Sequence, residues 1–402
     1  MNRQTKVFAA LAGVIVLAAA VVILVILPQM RQTAPNTSGG IGLADDAYRA
    51  EIIDVLEEGE VTLGERTQPY KILLVEVTDG PWTGQQLEID YGQRQIRPEG
   101  LDLEEGDQVL VSVGQRPDQT LTAYFVDFVR LQPLLWLFLT FVAFSVLVSG
   151  WKGVRGLIGM AFSLGMILYY IIPNILDGKD PVFVSISGAF VLMAVTLYLV
   201  YGWTLKTHSA VAGTLISLIV TGTLAWLFMN LTRLTGFGSE DATFLIQAAN
   251  VNINLRGLVL GGMLVGALGV LDDLVITQAS VIFALNEANP DYDLRSLYRK
   301  GMRVGQDHVA ATVNTLVLAY AGASLPALLL FTLSGEGVTD LLNLEFVAEE
   351  VVRTLVGSLG LISAVPLTTL LSCFAALHGD RLGAIRRYLG PKDLGDNHGH
   401  HH

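Results

Sequence analysis

Two adjacent carboxylates, Asp272 and Asp273, stand inside a stretch otherwise built of apolar and small residues, G-A-L-G-V-L-D-D-L-V-I-T-Q from Gly266 to Gln278. A second apolar stretch, Val304 to Pro326, carries Asp307, His308 and Asn314. A carboxylate at mid-bilayer costs about 2.5 to 3.5 kcal/mol on insertion scales, so the pair costs roughly 5 to 7 kcal/mol when both face lipid. A buried carboxylate sheds that cost by taking a proton or a cation, and a neighbouring carboxylate strengthens the demand. Either outcome is a reversible binding site for H⁺, Na⁺ or a divalent cation. An all-oxygen set, with Asp272 and Asp273 as tentative metal ligands and Asn314, Thr277 and Thr312 as neutral partners, favours hard ions over zinc.

Spacing assigns these residues to faces. Gly262, Gly266, Gly269, Asp273, Thr277 and Ser280 recur every three or four residues and so share one side of a helix. Small residues there predict a close helix-packing seam that holds Asp273 away from lipid. Asp272 is rotated about 100° from it. With a rise of about 1.5 Å per residue, Asp273 comes level with the stretch from Ala311 to Asn314 on the returning helix, and Asp307 with His308 falls at the cytoplasmic interface. Asp307 and His308 then read as a cytoplasmic gate to the ion site. Pro326 and Pro366 interrupt apolar spans, and Thr368, Thr369 and Ser372 follow the second, where they could line the same cavity. Arg256 reads as a side chain that snorkels to the outer headgroups.

The elements that must carry these residues are membrane helices. Of 402 residues 52% are hydrophobic and only 15% charged, and the apolar ones come in blocks of about 20, the length that spans the hydrocarbon as a helix. The fold class is therefore a polytopic α-helical membrane protein, with the lipid bilayer as its first partner. A net charge of −12 argues against nucleic acid. The single cysteine, Cys373, excludes an intrachain disulfide. No G-x-x-x-x-G-K-S/T loop is present, so the chain carries no nucleotide-hydrolysing motif of that kind.

Five segments follow in order. Residues 1–28 read as an uncleaved signal-anchor helix, with Arg3 and Lys6 before the apolar run from Val7 to Leu27. Residues 29–46 are a polar linker. Residues 47–131 hold five strand-like runs, Tyr48 to Leu56, Tyr70 to Thr78, Gln86 to Tyr91, Gln108 to Val113 and Leu121 to Leu131, which predict a small extracytoplasmic β-barrel of the OB type. Being acidic and without a basic-aromatic stripe, it suits a docking module for an extracytoplasmic protein partner. Residues 132–390 contain seven apolar spans, making about eight transmembrane helices in all, and residues 391–402 form a cytoplasmic tail ending in a His run like a tag remnant. Lys and Arg concentrate in alternate loops, which places both termini in the cytoplasm. The segment from Asn286 to Arg303 is amphipathic and is expected along the membrane surface.

The stretches from Gly266 to Ser280 and from Val304 to Pro326, within this organisation of anchor, barrel and helices, resemble the signature stretches of the YibE/F-like family of bacterial membrane proteins. That resemblance implies the bacterial cytoplasmic (inner) membrane and brings no settled activity. The residues themselves point first to a secondary transporter or permease, not an enzyme, coupled to H⁺ or a metal cation through Asp272 and Asp273. No cofactor beyond such an ion is expected. A second reading is an accessory or scaffold protein whose barrel docks a partner. A third is an intramembrane aspartyl hydrolase, in which two Asp share a proton. A homo-oligomer is compatible with all three.

Overall fold

The computed structural model describes residues 47–64, 66–97, 100–115, 120–248, 252–335, 337–379, 389 and 391–392. The expected anchor, linker and most of the tail lie outside the described residues. The chain divides into two compact units, one carrying a β-sheet and the other most of the helices.

The sheet has five antiparallel strands, β1 (Ala47–Leu63), β2 (Arg66–Val77), β3 (Gln86–Tyr91), β4 (Gln108–Gln115) and β5 (Leu121–Phe128), in the order β3-β2-β1-β4-β5. Alternate residues point inward, and Ile52, Leu73, Val75, Ile89, Val109 and Val111 are almost fully buried, as the period of two in the sequence requires. β1 runs seven residues past the expected Leu56, because Glu57 to Leu63 pairs with the start of β2, down to Leu63 opposite Arg66. Gly64, at φ 66°, makes that tight reversal. Among the described residues no pairing joins the two outer strands, so the sheet is not closed into the expected barrel. A cleft of about 510 Å³ lies between β3 and β5. Outside the core, the Lys71 ammonium bridges Glu58 at 3.1 Å and Asp102 at 3.0 Å and donates to the Leu103 carbonyl at 3.1 Å.

Five helices among the described residues are long and apolar enough to cross a membrane. The first is a 46-residue run, Leu131–Leu176, made of α1 (Leu131–Met166), a π-helical turn (Ile167–Ile171) and α2 (Ile172–Leu176). It absorbs two of the expected spans, and they are divided at Gly150, whose φ of 56° and ψ of −133° only glycine adopts readily. The others are α3 (Pro181–Tyr201), α4 (Leu205–Leu231), α6 (Leu255–Ala288) and α10 (Glu345–His378); a short α5 (Glu240–Ala248) lies between α4 and α6. One further apolar span of the sequence is divided between α7 (Leu294–Ala323) and α8 (Leu325–Ser334), followed by α9 (Val338–Leu342). Pro326 lacks an N–H and sits at the start of α8, where that loss is harmless. The amphipathic segment after Asn286 is not a separate surface helix. Asp293 caps a new helix by accepting from Ser296 N at 3.1 Å, and Leu294 to Arg303 are the first turns of α7.

Polar caps start the other helices. Asp180 accepts from Phe183 N in α3, Thr204 from Thr207 N in α4, and Asn254 from Gly257 N in α6, each meeting a donor that a helix start leaves unpaired. Ser239 accepts from Ala242 N at 3.2 Å before α5. The interior is built from α3, α4, α6 and α10, with Met193, Ala210, Leu264, Leu268, Leu271, Leu361 and Ala364 buried together. Cys373 is fully buried near one end of α10, among Leu205, Ile282, Phe283 and Leu297. Lipid tails are as apolar as leucine, so such helices hold together through close van der Waals approach and internal hydrogen bonds. Gly261 lies against Ser185, Gly213 against Thr368, and Gly360 against Thr221, each too close for a Cβ.

Candidate functional site

The glycines that bring α6 against its neighbours are not those picked by the sequence periodicity. Gly257 and Gly261 face α3, whereas Gly262, Gly266 and Gly269 lie on an exposed stripe together with Asp273 and Thr277. A Cβ on Gly262 or Gly269 would meet nothing within 4 Å, and one on Gly266 would meet only the Tyr320 hydroxyl at 3.7 Å. Both sets of glycines are spaced for a helix face. The buried face is instead the one bearing Leu264, Leu268, Leu271, Val275 and Gln278, because α4 and α10 pack there.

Asp272 lies at the border of that face. Its residue is part-buried, and its Oδ1 is enclosed with no hydrogen-bond partner among the described residues. Asp273, one residue on, is exposed. The two carboxylates thus occupy different surroundings, as the 100° rotation between neighbours requires. Tyr201, the last residue of α3, is within electrostatic reach of both. An oxygen cut off from water and from donors is stable there as a neutral acid or beside a cation.

On α7, Asp307 and Asn314 are exposed and His308 and Thr312 part-buried. The Thr312 hydroxyl donates to the His308 carbonyl at 2.8 Å, a bond within the helix. Among the described residues no hydrogen bond or ion pair links Asp307, Asn314, Thr277 or Thr312 to the acidic pair, nor does any group of three or more His, Cys, Asp or Glu side chains stand ready to hold a metal. Two carboxylates without a third fit a proton or a monovalent ion better than a fully caged divalent one. Arg256 donates to Asn230 Oδ1 at 2.6 Å.

The most buried polar cluster lies on the other side of α6. Gln278, 1% exposed, donates from Nε2 to the Gly301 carbonyl at 3.0 Å and to Thr369 Oγ1 at 2.7 Å. It therefore ties α6 to both α7 and α10. Gly301 and Gly305 make room for this, since a Cβ on Gly305 would fall 2.9 Å from Gln278 Oε1. Beside it, Ser372 donates to Ser209 at 3.1 Å, and Thr368 Oγ1 is buried without a partner among the described residues. α4 adds a row of buried hydroxyls, Thr207, Thr214, Ser217 and Thr221. The last three bond the carbonyl one turn back in their own helix. Thr368, Thr369 and Ser372 are the residues expected here from the sequence; Gln278 and the α4 hydroxyls are additional to them. Their signal is the spacing 207, 214, 217, 221 along one face.

Arg353 is the other residue whose place the sequence concealed. It sits in the third turn of α10, with Nη2 2.5 Å from Glu349 Oε1 and Nε 3.6 Å from Glu350 Oε2. It borders a small void shared with Gly266, Val270 and Tyr320, which brings a fixed positive charge to the same exposed side of α6.

Comparison with curated proteins and with solved structures found no match. Residues 137–378, more than half of the chain and the whole region holding these helices from α3 to α10, match the family described as YibE/F-like protein. The acidic stretch of α6 and the Asp-His stretch of α7 both fall inside the match, and the chain belongs to the YibE/F-like family.

Proposed function

We propose that this protein is a secondary transporter or permease of the bacterial cytoplasmic membrane, coupled to H⁺ or a cation through Asp272 and Asp273. The observation that carries the reading is the enclosed Oδ1 of Asp272, without a donor among the described residues, in the middle of an apolar helix. Such a group is neutralised there by a proton or a cation, and a site of that kind supports coupling when the proton or ion can leave again. Asp273 on the exposed side would pass that ion onward, with Asn314, Thr277 and Thr312 as neutral ligands and Asp307 with His308 as the cytoplasmic gate. In this reading the anchor, the two halves of Leu131–Leu176, α3, α4, α6, the α7–α8 pair and α10 make eight spans. Both termini are then cytoplasmic, and the sheet is an OB-like module outside. An aspartyl hydrolase would need Asp273 on α6 and Asp307 on α7 to share a proton; both are exposed, and no hydrogen bond joins them among the described residues.

The scaffold reading draws on the exposed stripe of Gly262, Gly266 and Gly269, which leaves room for another protein or a second copy of the chain. One experiment separates the two. Thermal unfolding of the purified protein across pH and a panel of Na⁺, K⁺, Mg²⁺, Ca²⁺ and Mn²⁺ is compared with Asp272→Asn and Asp273→Asn. A coupling ion stabilises the wild type saturably, by about 2.7 kcal/mol at a hundredfold excess over its dissociation constant, and Asp272→Asn loses that response. Identical responses from all three proteins would make the carboxylates structural and end the transport reading.

A further inference from the structure

A groove of about 600 Å³ runs beside α7, α8 and the first turns of α10. Val317, Ala321, Leu328 and Leu355 give it apolar walls, and one end is charged. There the Arg353 guanidinium faces both Glu349 and Glu350, at 2.5 and 3.6 Å. Glu349 takes the short contact with the guanidinium, which leaves Glu350 the looser-held and more exposed of the two carboxylates. The Glu349 and Glu350 side chains are only 14% and 30% exposed, so their field is less screened than on an open surface. The rings of Tyr320 and Phe346 also line the groove, and aromatic faces attract organic cations. An anion would be repelled by the charged end, and a hydrocarbon tail alone would leave it unused.

We infer that this groove binds an organic cation with an apolar body, its charged group against Glu350 and its body along the wall from Val317 to Leu328. The ammonium head of an ethanolamine lipid and a free lipophilic cation share that chemistry. The site does not use Asp272, so it stands or falls separately from the transport reading.

The test is calorimetric titration of tetraphenylphosphonium into the full chain in phosphatidylcholine nanodiscs. Saturable binding is expected, weakened about tenfold by Glu350→Gln and also weakened by Tyr320→Leu. Neutral triphenylphosphine oxide should bind about tenfold more weakly than the cation. A second arm adds phosphatidylethanolamine to the discs. If the lipid head is the natural occupant, apparent affinity for the probe falls in proportion to that lipid; if the occupant is a free cation, affinity is the same in both discs. Equal affinity for the cation and the neutral compound, or equal affinity in the wild type and both groove variants, would overturn the proposal. Tyr320→Leu keeps the test valid should Glu350→Gln fail to fold.

Discussion

Gly360 is where the contact between α4 and α10 can be tested most directly. A Cβ added there would lie 2.2 Å from Thr221 Oγ1 and 3.2 Å from both Thr221 Cβ and Cγ2. Carbon and oxygen need about 3.4 Å, so Gly360→Ala must part the helices locally by roughly 1.2 Å. A gap of 0.5 to 1 Å already forfeits about a quarter to a half of a van der Waals well, and overpacking of this kind costs about 1 to 3 kcal/mol. Alanine's better helix propensity returns at most about 1 kcal/mol. The net expectation is a loss of about 1 to 2 kcal/mol, read by reversible unfolding in mixed micelles titrated with sodium dodecyl sulfate. Thr221→Ala removes Oγ1 and Cγ2, leaving only the 3.2 Å contact with Cβ. The double variant should therefore be more stable than the sum of the singles by about 1 kcal/mol or more. Gly262→Ala, with nothing within 4 Å of its Cβ, serves as the control and should stay within about 0.5 kcal/mol of the wild type. Gly360→Ala as stable as the wild type, or additivity in the cycle, would refute the claim that this glycine sets the helix separation.

Further expectations follow from the polar contacts. Gln278→Leu removes the bonds to the Gly301 carbonyl and to Thr369 and should cost about 1 to 3 kcal/mol in the same assay, at roughly 0.6 to 1.7 kcal/mol per intramembrane bond; Thr369→Val should cost less, because the Gly301 bond survives. Glu345 accepts from Thr235 N at 2.6 Å, Gly236 N at 2.8 Å and Thr235 Oγ1 at 2.8 Å, so Glu345→Ala should speed backbone hydrogen exchange at Thr235 and Gly236 by about tenfold or more, equivalent to about 1.4 kcal/mol or above. In the sheet, the hydrogen bond from Lys71 holds the Asp102 carboxyl below the usual carboxylate range, against the opposing effect of burial. That stabilisation is fully present above the unfolded value of about 3.9 and is lost as pH falls through the lower folded one. Hydrogen exchange in β1 and β2, corrected for its intrinsic pH dependence, should therefore show protection that declines below about pH 4, and Asp102→Asn should remove that part of the decline.

The sequence makes the helices legible because lipid demands long apolar runs, and those runs appear near α3, α4, α6 and α10. Strand alternation likewise located all five strands. The end of β1 was hidden because Glu57, Glu58 and Glu60 carry no inward-facing alternation; they extend as a paired ribbon whose register is set by β2. The inward face of α6 was harder to read for a different reason. The helix is apolar nearly all round, so periodicity offered two glycine faces and no energetic difference between them. Only the neighbours decide, Ser185 against Gly261 on one side and open space beside Gly262 on the other. Gln278 was visible as a polar residue in an apolar run, but its partners, a carbonyl on α7 and a hydroxyl on α10, are distant in the chain. Nothing in the sequence marks Arg353 as paired, because Glu349 and Glu350 come within its reach only once the helix has formed.

Cys373 offers the experimenter a built-in reporter. It is the chain's sole thiol, fully enclosed where α10 meets Leu205, Ile282 and Leu297. A thiol-directed label can reach it only when that end of the bundle opens, so the labelling rate measures the opening equilibrium without any engineered cysteine. Ions, lipophilic cations or substitutions that shift the helices there would register as a change in a single rate constant.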